Sequence, residues 1–105
     1  MTIQQYVNEV LQVPVTIVGN KLIVEAMEIV CDTHQHKFYS LLAQATGKSP
    51  RQLDKPLRQA RDRSLFNITT PLKQEIFGDK INVTVTEYIV KATQHYRRIY
   101  EDKES

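Results

Sequence analysis

The sequence predicts an all-α domain of about six helices that includes a helix-turn-helix, with at most one short two-stranded pairing. Three observations carry that expectation. Apolar residues recur at three- and four-residue spacing through most of the chain. Two helix starts have capping-box form, Ser49-Pro50-Arg51-Gln52 and Thr84 to Glu87. Pro14, Gly47, Pro71 and Gly78 stand between the periodic segments, where they start or stop helices. At 105 residues, 41% hydrophobic and 25% charged, the chain has the size and composition of one globular unit, 1–105. A tail from about 102 to 105 is expected to fray.

Ile3, Tyr6, Val7, Val10 and Leu11 place an amphipathic helix over Thr2 to Gln12. Pro14 stops it by disfavouring helical geometry at Val13. The β-branched run Val13 to Val18, with Gly19-Asn20 as a turn signal, predicts a short extended segment. A second, central helix is expected from about Asn20 to Cys31, with Leu22, Ile23, Ala26, Met27, Ile29 and Val30 inward. A third, about His36 to Thr46, buries Phe38, Leu41, Leu42 and Ala45 and ends at Gly47.

Ser49 then reads as an N-cap, Pro50 as the first helical residue and Gln52 as the closing member of a capping box. The fourth helix runs to about Phe66 with Leu53, Leu57, Ala60 and Ser64 inward. Pro56 lies inside it, where it removes a bond to the Gln52 carbonyl and predicts a kink. Thr70-Pro71 opens a short fifth helix carrying Leu72, Ile76 and Phe77, closed by Gly78. Ile81 to Val85 alternates like a strand and is a candidate partner for Val15 to Val18. The last helix starts at Thr84 and aligns Val85, Tyr88, Ile89, Ala92, Tyr96, Ile99 and Tyr100. His95 is expected on its surface.

The net charge of +2 says little, but its distribution says more. Between Lys48 and Arg63, six basic residues face only Asp54 and Asp62, so a local surplus of four sits on an otherwise mildly acidic chain. A compact basic patch favours phosphate binding through counterion release. A merely solvated helix face is the equally simple reading of charge alone. The segments before and after Gly47 have the layout of a DNA-reading helix-turn-helix, with Ala43 as the small residue at the crossing and Gly47 able to take a positive φ in the turn.

With the inward residues set aside, helix 49–66 is left with side chains suited to the major groove of double-stranded DNA. Gln52, Lys55 and Arg58 suit base edges, since Lys or Arg donates to guanine and Gln pairs with adenine; Asp54 can accept from cytosine, and Gln59 lies beside them. Lys48, Ser49, Arg51 and Arg61 suit phosphates, which fix register without reading sequence. The expected function is sequence-specific DNA binding by a transcriptional regulator. The alternative is a protein-binding adaptor or inhibitor that keeps the fold without reading DNA. The stripe Tyr88, Ala92, Tyr96, Ile99 and Tyr100 is a candidate homodimer surface and, alternatively, plain core.

Val13-Pro14, Ile17-x-Gly19, Glu25-Ala26-x-x-x-Val30, Ala43 with Ser49 to Ala60, Phe77-Gly78 and Glu87-Tyr88-Ile89 together carry a likeness. From about Val7 to Arg98 the chain resembles the C-terminal DNA-binding effector domain of the sporulation master response regulators of endospore-forming bacteria. The resemblance implies a six-helix fold, binding of a short DNA box by the fourth helix, and dimer contacts through the last helix. It places the recognition positions on Gln52, Asp54, Lys55, Arg58 and Gln59. Arg58 keeps the residue of that family, and Asp54 and Lys55 keep its charge. Gln52 replaces an arginine, Gln59 a histidine and Pro56 an alanine. No receiver domain is expected before this chain, so phosphorelay control is not implied; a phage, a mobile element or a regulator controlled by concentration is the expected setting.

Other chemistries find little in the sequence. Cys31-x-x-His34-x-His36 beside Asp32 offers one cysteine, short of the four paired ligands usual for zinc, so no metal and no cofactor are expected. No nucleophile motif or phosphate loop points to an enzyme or a small-molecule substrate. The N-terminus lacks the form of a signal peptide and no apolar run reaches the ~18 residues that would span a bilayer. A single cysteine suits a reducing compartment, and the expected location is cytoplasmic.

Overall fold

The structure is a computed structural model that describes residues 1–34, 37–66, 71–78 and 83–101. Among these, six α-helices follow one another: α1 Ile3–Glu9, α2 Val18–Thr33, α3 Tyr39–Thr46, α4 Pro50–Phe66, α5 Pro71–Phe77 and α6 Val85–Tyr96. A π-helical turn, Arg97–Glu101, continues α6. No strand occurs among the described residues.

Local chemistry sets most helix ends. Thr2 Oγ1 accepts from the Gln5 amide at 3.1 Å while Gln5 Oε1 accepts from the Thr2 amide at 2.9 Å, a full capping box. At α4 the same exchange joins Ser49 and Gln52: the Ser49 amide donates to Gln52 Oε1 at 2.9 Å and the Gln52 amide to Ser49 Oγ at 3.3 Å. Thr84 caps α6 by accepting from the Glu87 amide at 3.1 Å. Gly47 ends α3 at φ +71°, in the left-handed region that glycine enters without a Cβ penalty.

The expected extended segment is absent. Val15 and Thr16 form a turn and α2 begins at Val18, so Gly19 and Asn20 lie in its first turn. Asn20 explains the early start, because its side chain is buried and bonded: it donates to Val13 O at 3.0 Å and to Asn8 Oδ1 at 2.9 Å, and accepts from Gln4 Nε2 at 2.9 Å. This polar joint ties α1, the connection and α2 together. The candidate strand 81–85 is likewise not formed where it is described, since Val85 opens α6 and Val83 is buried against the core; Ile81 and Asn82 lie outside the described residues. α3 starts at Tyr39, after a buried Phe38, with Leu41 half-buried and Ala45 exposed rather than inward; His36 lies outside the described residues, as does Thr70 before α5.

α2 is the central helix, packing on α1, α3, α4 and α6. One contiguous apolar cluster joins them, centred on fully buried Tyr6, Ile23, Met27, Leu57, Tyr88 and Ile89. Fully burying each large apolar side chain is worth about 1.5–3 kcal/mol, so this cluster is the main source of stability. α2 and α4 cross closely: a Cβ built on Gly19 would meet the Pro56 carbonyl oxygen and Ala60 Cβ at well under van der Waals contact. Gly19 is thus a small residue that permits close approach of α2 to α4, while Ala43 of α3 packs half-buried against the core.

Candidate nucleic-acid interface

α4 is an amphipathic helix with four residues sealed inward and, at its C-terminal end, Phe66 72% exposed. Leu53, Leu57, Ala60 and Ser64 have no exposed surface. Ser64 adds a polar tie by donating to Leu11 O at 2.6 Å, and the buried Lys73 of α5 donates to Ser64 O at 2.5 Å. A lysine amine on a carbonyl of the last turn complements the negative end of a helix dipole. Its burial holds the Lys73 amine below the ordinary lysine range. The helix continues through Pro56 to Phe66, so the proline does not divide it.

On the opposite side Lys48, Ser49, Arg51, Gln52, Lys55, Arg58 and Gln59 are exposed and Asp54 is half-buried. The capping box fixes where this row begins, and the three-residue connection after α3 fixes its direction. Arg58 Nε lies 3.0 Å from Asp54 Oδ2, one helical turn apart, so an acidic group shares the basic face. Arg61 departs from its expected place. Its guanidinium turns across the helix flank, donating to Val83 O at 3.1 Å and pairing with Asp62 at 3.0 Å, with only 21% of the side chain exposed. A guanidinium held there braces α4 against the segment that leads into α6 and is not displayed for phosphates.

Two neighbours of the basic face carry no signal in the sequence. Tyr39, the first residue of α3, sits half-buried beside Asp54, Arg58 and Arg61; burial first, and Asp54 second, hold its phenol above the ordinary tyrosine range. On the other flank, Ile17 lies between two open grooves. One of about 400 Å³ is lined by Gln59, Asp62, Arg63 and Phe66, and one of about 470 Å³ by Val15, Val18, Lys21 and Lys48 among others. Only tertiary packing assembles these, because α2 and α4 are far apart in the chain.

The last-helix stripe divides. Tyr88 and Ala92 are fully buried in the chain's own core, which corrects their candidacy for a subunit contact. Tyr96, Ile99 and Tyr100 are half-buried, and the Tyr96 hydroxyl donates to Met1 O at 2.8 Å. Tyr96 and Tyr100 also lie at 5.4 and 6.0 Å from the Tyr6 ring in edge-on contacts, so much of their surface is spent within one chain. His95, expected at the surface, is 4% exposed. Of the cysteine–histidine group, Cys31 and Asp32 are on the last turn of α2, His34 Nδ1 accepts from Arg97 at 2.6 Å, and His36 lies outside the described residues. Among the described residues no His, Cys, Asp or Glu cluster with metal-holding geometry occurs, and no helix is long and apolar enough to cross a membrane.

Comparison with protein-family models, with characterised proteins and with solved structures finds no match to this chain.

Proposed function

We propose that this protein binds double-stranded DNA sequence-specifically, with α4 in the major groove, and serves as a transcriptional regulator in the cytoplasm. The observation that supports the reading best is the division of α4: Leu53, Leu57, Ala60 and Ser64 are fully buried while Arg51, Gln52, Lys55, Arg58 and Gln59, with Lys48 just before the helix, remain exposed. A helix anchored on one side and cationic on the other matches what a B-DNA groove accepts, because phosphates attract the cations and base edges meet the Gln and Arg donors. Arg58 and Gln52 are the base readers in this arrangement, and Lys48, Ser49 and Arg51 the phosphate contacts. Arg63, exposed beside Gln59, joins them.

The test is selection of a preferred duplex from a random oligonucleotide pool, followed by anisotropy titrations across salt. Affinity is expected to fall with a log–log slope of about −0.9 for every phosphate neutralised. Arg58→Ala should lose about 1–3 kcal/mol on the selected duplex and relax one or two positions, whereas Lys48→Ala should weaken selected and random duplexes alike. Failure to enrich any sequence, with no salt-dependent complex, would replace this reading with the adaptor one.

A further inference from the structure

A second candidate site lies on the α5–α6 side of the molecule, independent of the DNA reading. Lys91, Gln94, His95 and Arg98 form one stripe along α6 and the turn that follows it, and Glu75 and Ile76 face them from α5. Together they line an open cleft of about 320 Å³. From these features we infer that the cleft binds a phosphate group, inorganic or carried by a small molecule, through His95 Nε2, Lys91 and Arg98.

His95 supplies the observation that points to a ligand. Its Nδ1 lies 2.9 Å from the hydroxyl of Tyr6, a residue with no exposed surface. That hydroxyl is buried and has no other hydrogen-bond partner among the described residues, so Nδ1 is the acceptor open to its proton. The ring proton of a neutral imidazole then sits on Nε2. That N–H is buried and has no partner among the described residues, an uncommon condition for a polar group in a folded protein. With Nδ1 engaged by the core, Nε2 is the polar atom left for the cleft that His95 lines.

The surrounding charges select the acceptor. Lys91 and Arg98 supply two cations against the single carboxylate of Glu75, leaving a net surplus of one. Neither cation forms an ion pair among the described residues. Burial foremost, with Arg98 acting in the same direction and Glu75 against it, keeps the imidazole below its ordinary range. Glu75 can accept a hydrogen bond but offers nothing to a fully deprotonated anion. A phosphate near neutral pH carries both oxygens for the cations and, in part, a P–OH for Glu75, whereas a carboxylate has no proton to offer.

The experiment follows the His95 ring resonances and the thermal midpoint of the whole chain during titration with inorganic phosphate. Sodium acetate and sodium chloride at matched ionic strength are the control arms. Phosphate should give a saturable His95 shift, raise the His95 pKa and raise the midpoint, with acetate and chloride giving none of these. Lys91→Ala combined with Arg98→Ala should weaken phosphate binding about tenfold or more without altering the fold, since Arg98 is exposed on the turn after α6 and Lys91 is half-buried, neither being part of the apolar core. Resonances insensitive to phosphate, a response of equal size to acetate or chloride, or undiminished binding in the double variant would each overturn the assignment.

Discussion

The inner and outer sides of α4 have nearly opposite physical characters. Inward, Leu53, Leu57, Ala60 and Ser64 are sealed, and the Pro56 carbonyl and Ala60 stand where any Cβ on Gly19 would have to go. Outward, the side chains are solvated, tied by the Ser49–Gln52 capping box and by the Asp54–Arg58 ion pair. The difference shows how one helix holds a fixed orientation while leaving a face open to change. Changes inside should register as stability with little else, and changes outside as binding.

The comparison breaks most readily at Gly19→Ala. Interiors are close-packed, and overpacking costs typically 1–3 kcal/mol. Because the obstructing atoms are backbone and a Cβ, with no flexible chain end to yield, a loss of about 3 kcal/mol is expected. Urea unfolding measures it as a lower midpoint. A variant within about 0.5 kcal/mol of the parent would show that α2 and α4 separate at little cost, and that the inner side is not rigid.

Asn20→Ala probes the same side through polar groups. It removes a buried amide that serves Val13 O, Asn8 and Gln4, and leaves the Val13 carbonyl without that donor. Stranding a buried group costs about 1–3 kcal/mol, and a loss near 2 kcal/mol is expected by the same urea measurement. If instead the loss is no larger than that of an exposed substitution, water replaces the amide and the α1–α2 joint is weaker than its geometry implies.

How much of this was legible in the sequence depends on whether the cause was local. The Ser49–Gln52 box, the Thr84 cap, Gly47 and the inward set Leu53, Leu57, Ala60 and Ser64 all follow from spacing within one helix, and the structure places them as expected. Gly19-Asn20 was misleading for a physical reason. The pair has turn chemistry, yet here Gly19 serves a helix crossing and Asn20 a buried network, and both depend on residues in other helices. His95 and Lys73 are polar residues whose burial is decided by Tyr6 and by the end of α4, so no local pattern announces them. Within the candidate interface, exposure of the row from Lys48 to Gln59 was readable from periodicity, whereas the turning of Arg61 toward Val83 was not. About six helices were expected from the apolar spacing and the helix-end signals, and six α-helices are present among the described residues.

A smaller effect should follow pH. Burial lowers the folded-state pKa of His95, so below the ordinary histidine value of about 6.5 the unfolded chain binds more protons than the folded one. The contribution of His95 is therefore fully present above that value and is lost as pH falls through the folded pKa. Thermal midpoints measured from pH 7.5 downward should decline from about 6.5, and His95→Gln, which keeps an acceptor for the Tyr6 hydroxyl, should flatten that part of the profile. A parent profile flat across the region would mean the ring is solvated in the folded state.

The smallest expected change in stability sharpens the outer side. Asp54 and Arg58 are 45% and 58% exposed at the side chain, and pairs of this kind contribute about 0.3–0.5 kcal/mol. Asp54→Ala should accordingly unfold within about 0.5 kcal/mol of the parent. Its effect on DNA should be larger and depend on the duplex. Removing an anion from a face that meets phosphates strengthens binding to random DNA and frees the Arg58 guanidinium, while any cytosine contact made by Asp54 is lost only on the selected sequence. The ratio of selected to random affinity should fall even as random binding rises. Weaker binding to both would show that Asp54 positions Arg58 for DNA, making the ion pair part of the interface and not a competitor for it.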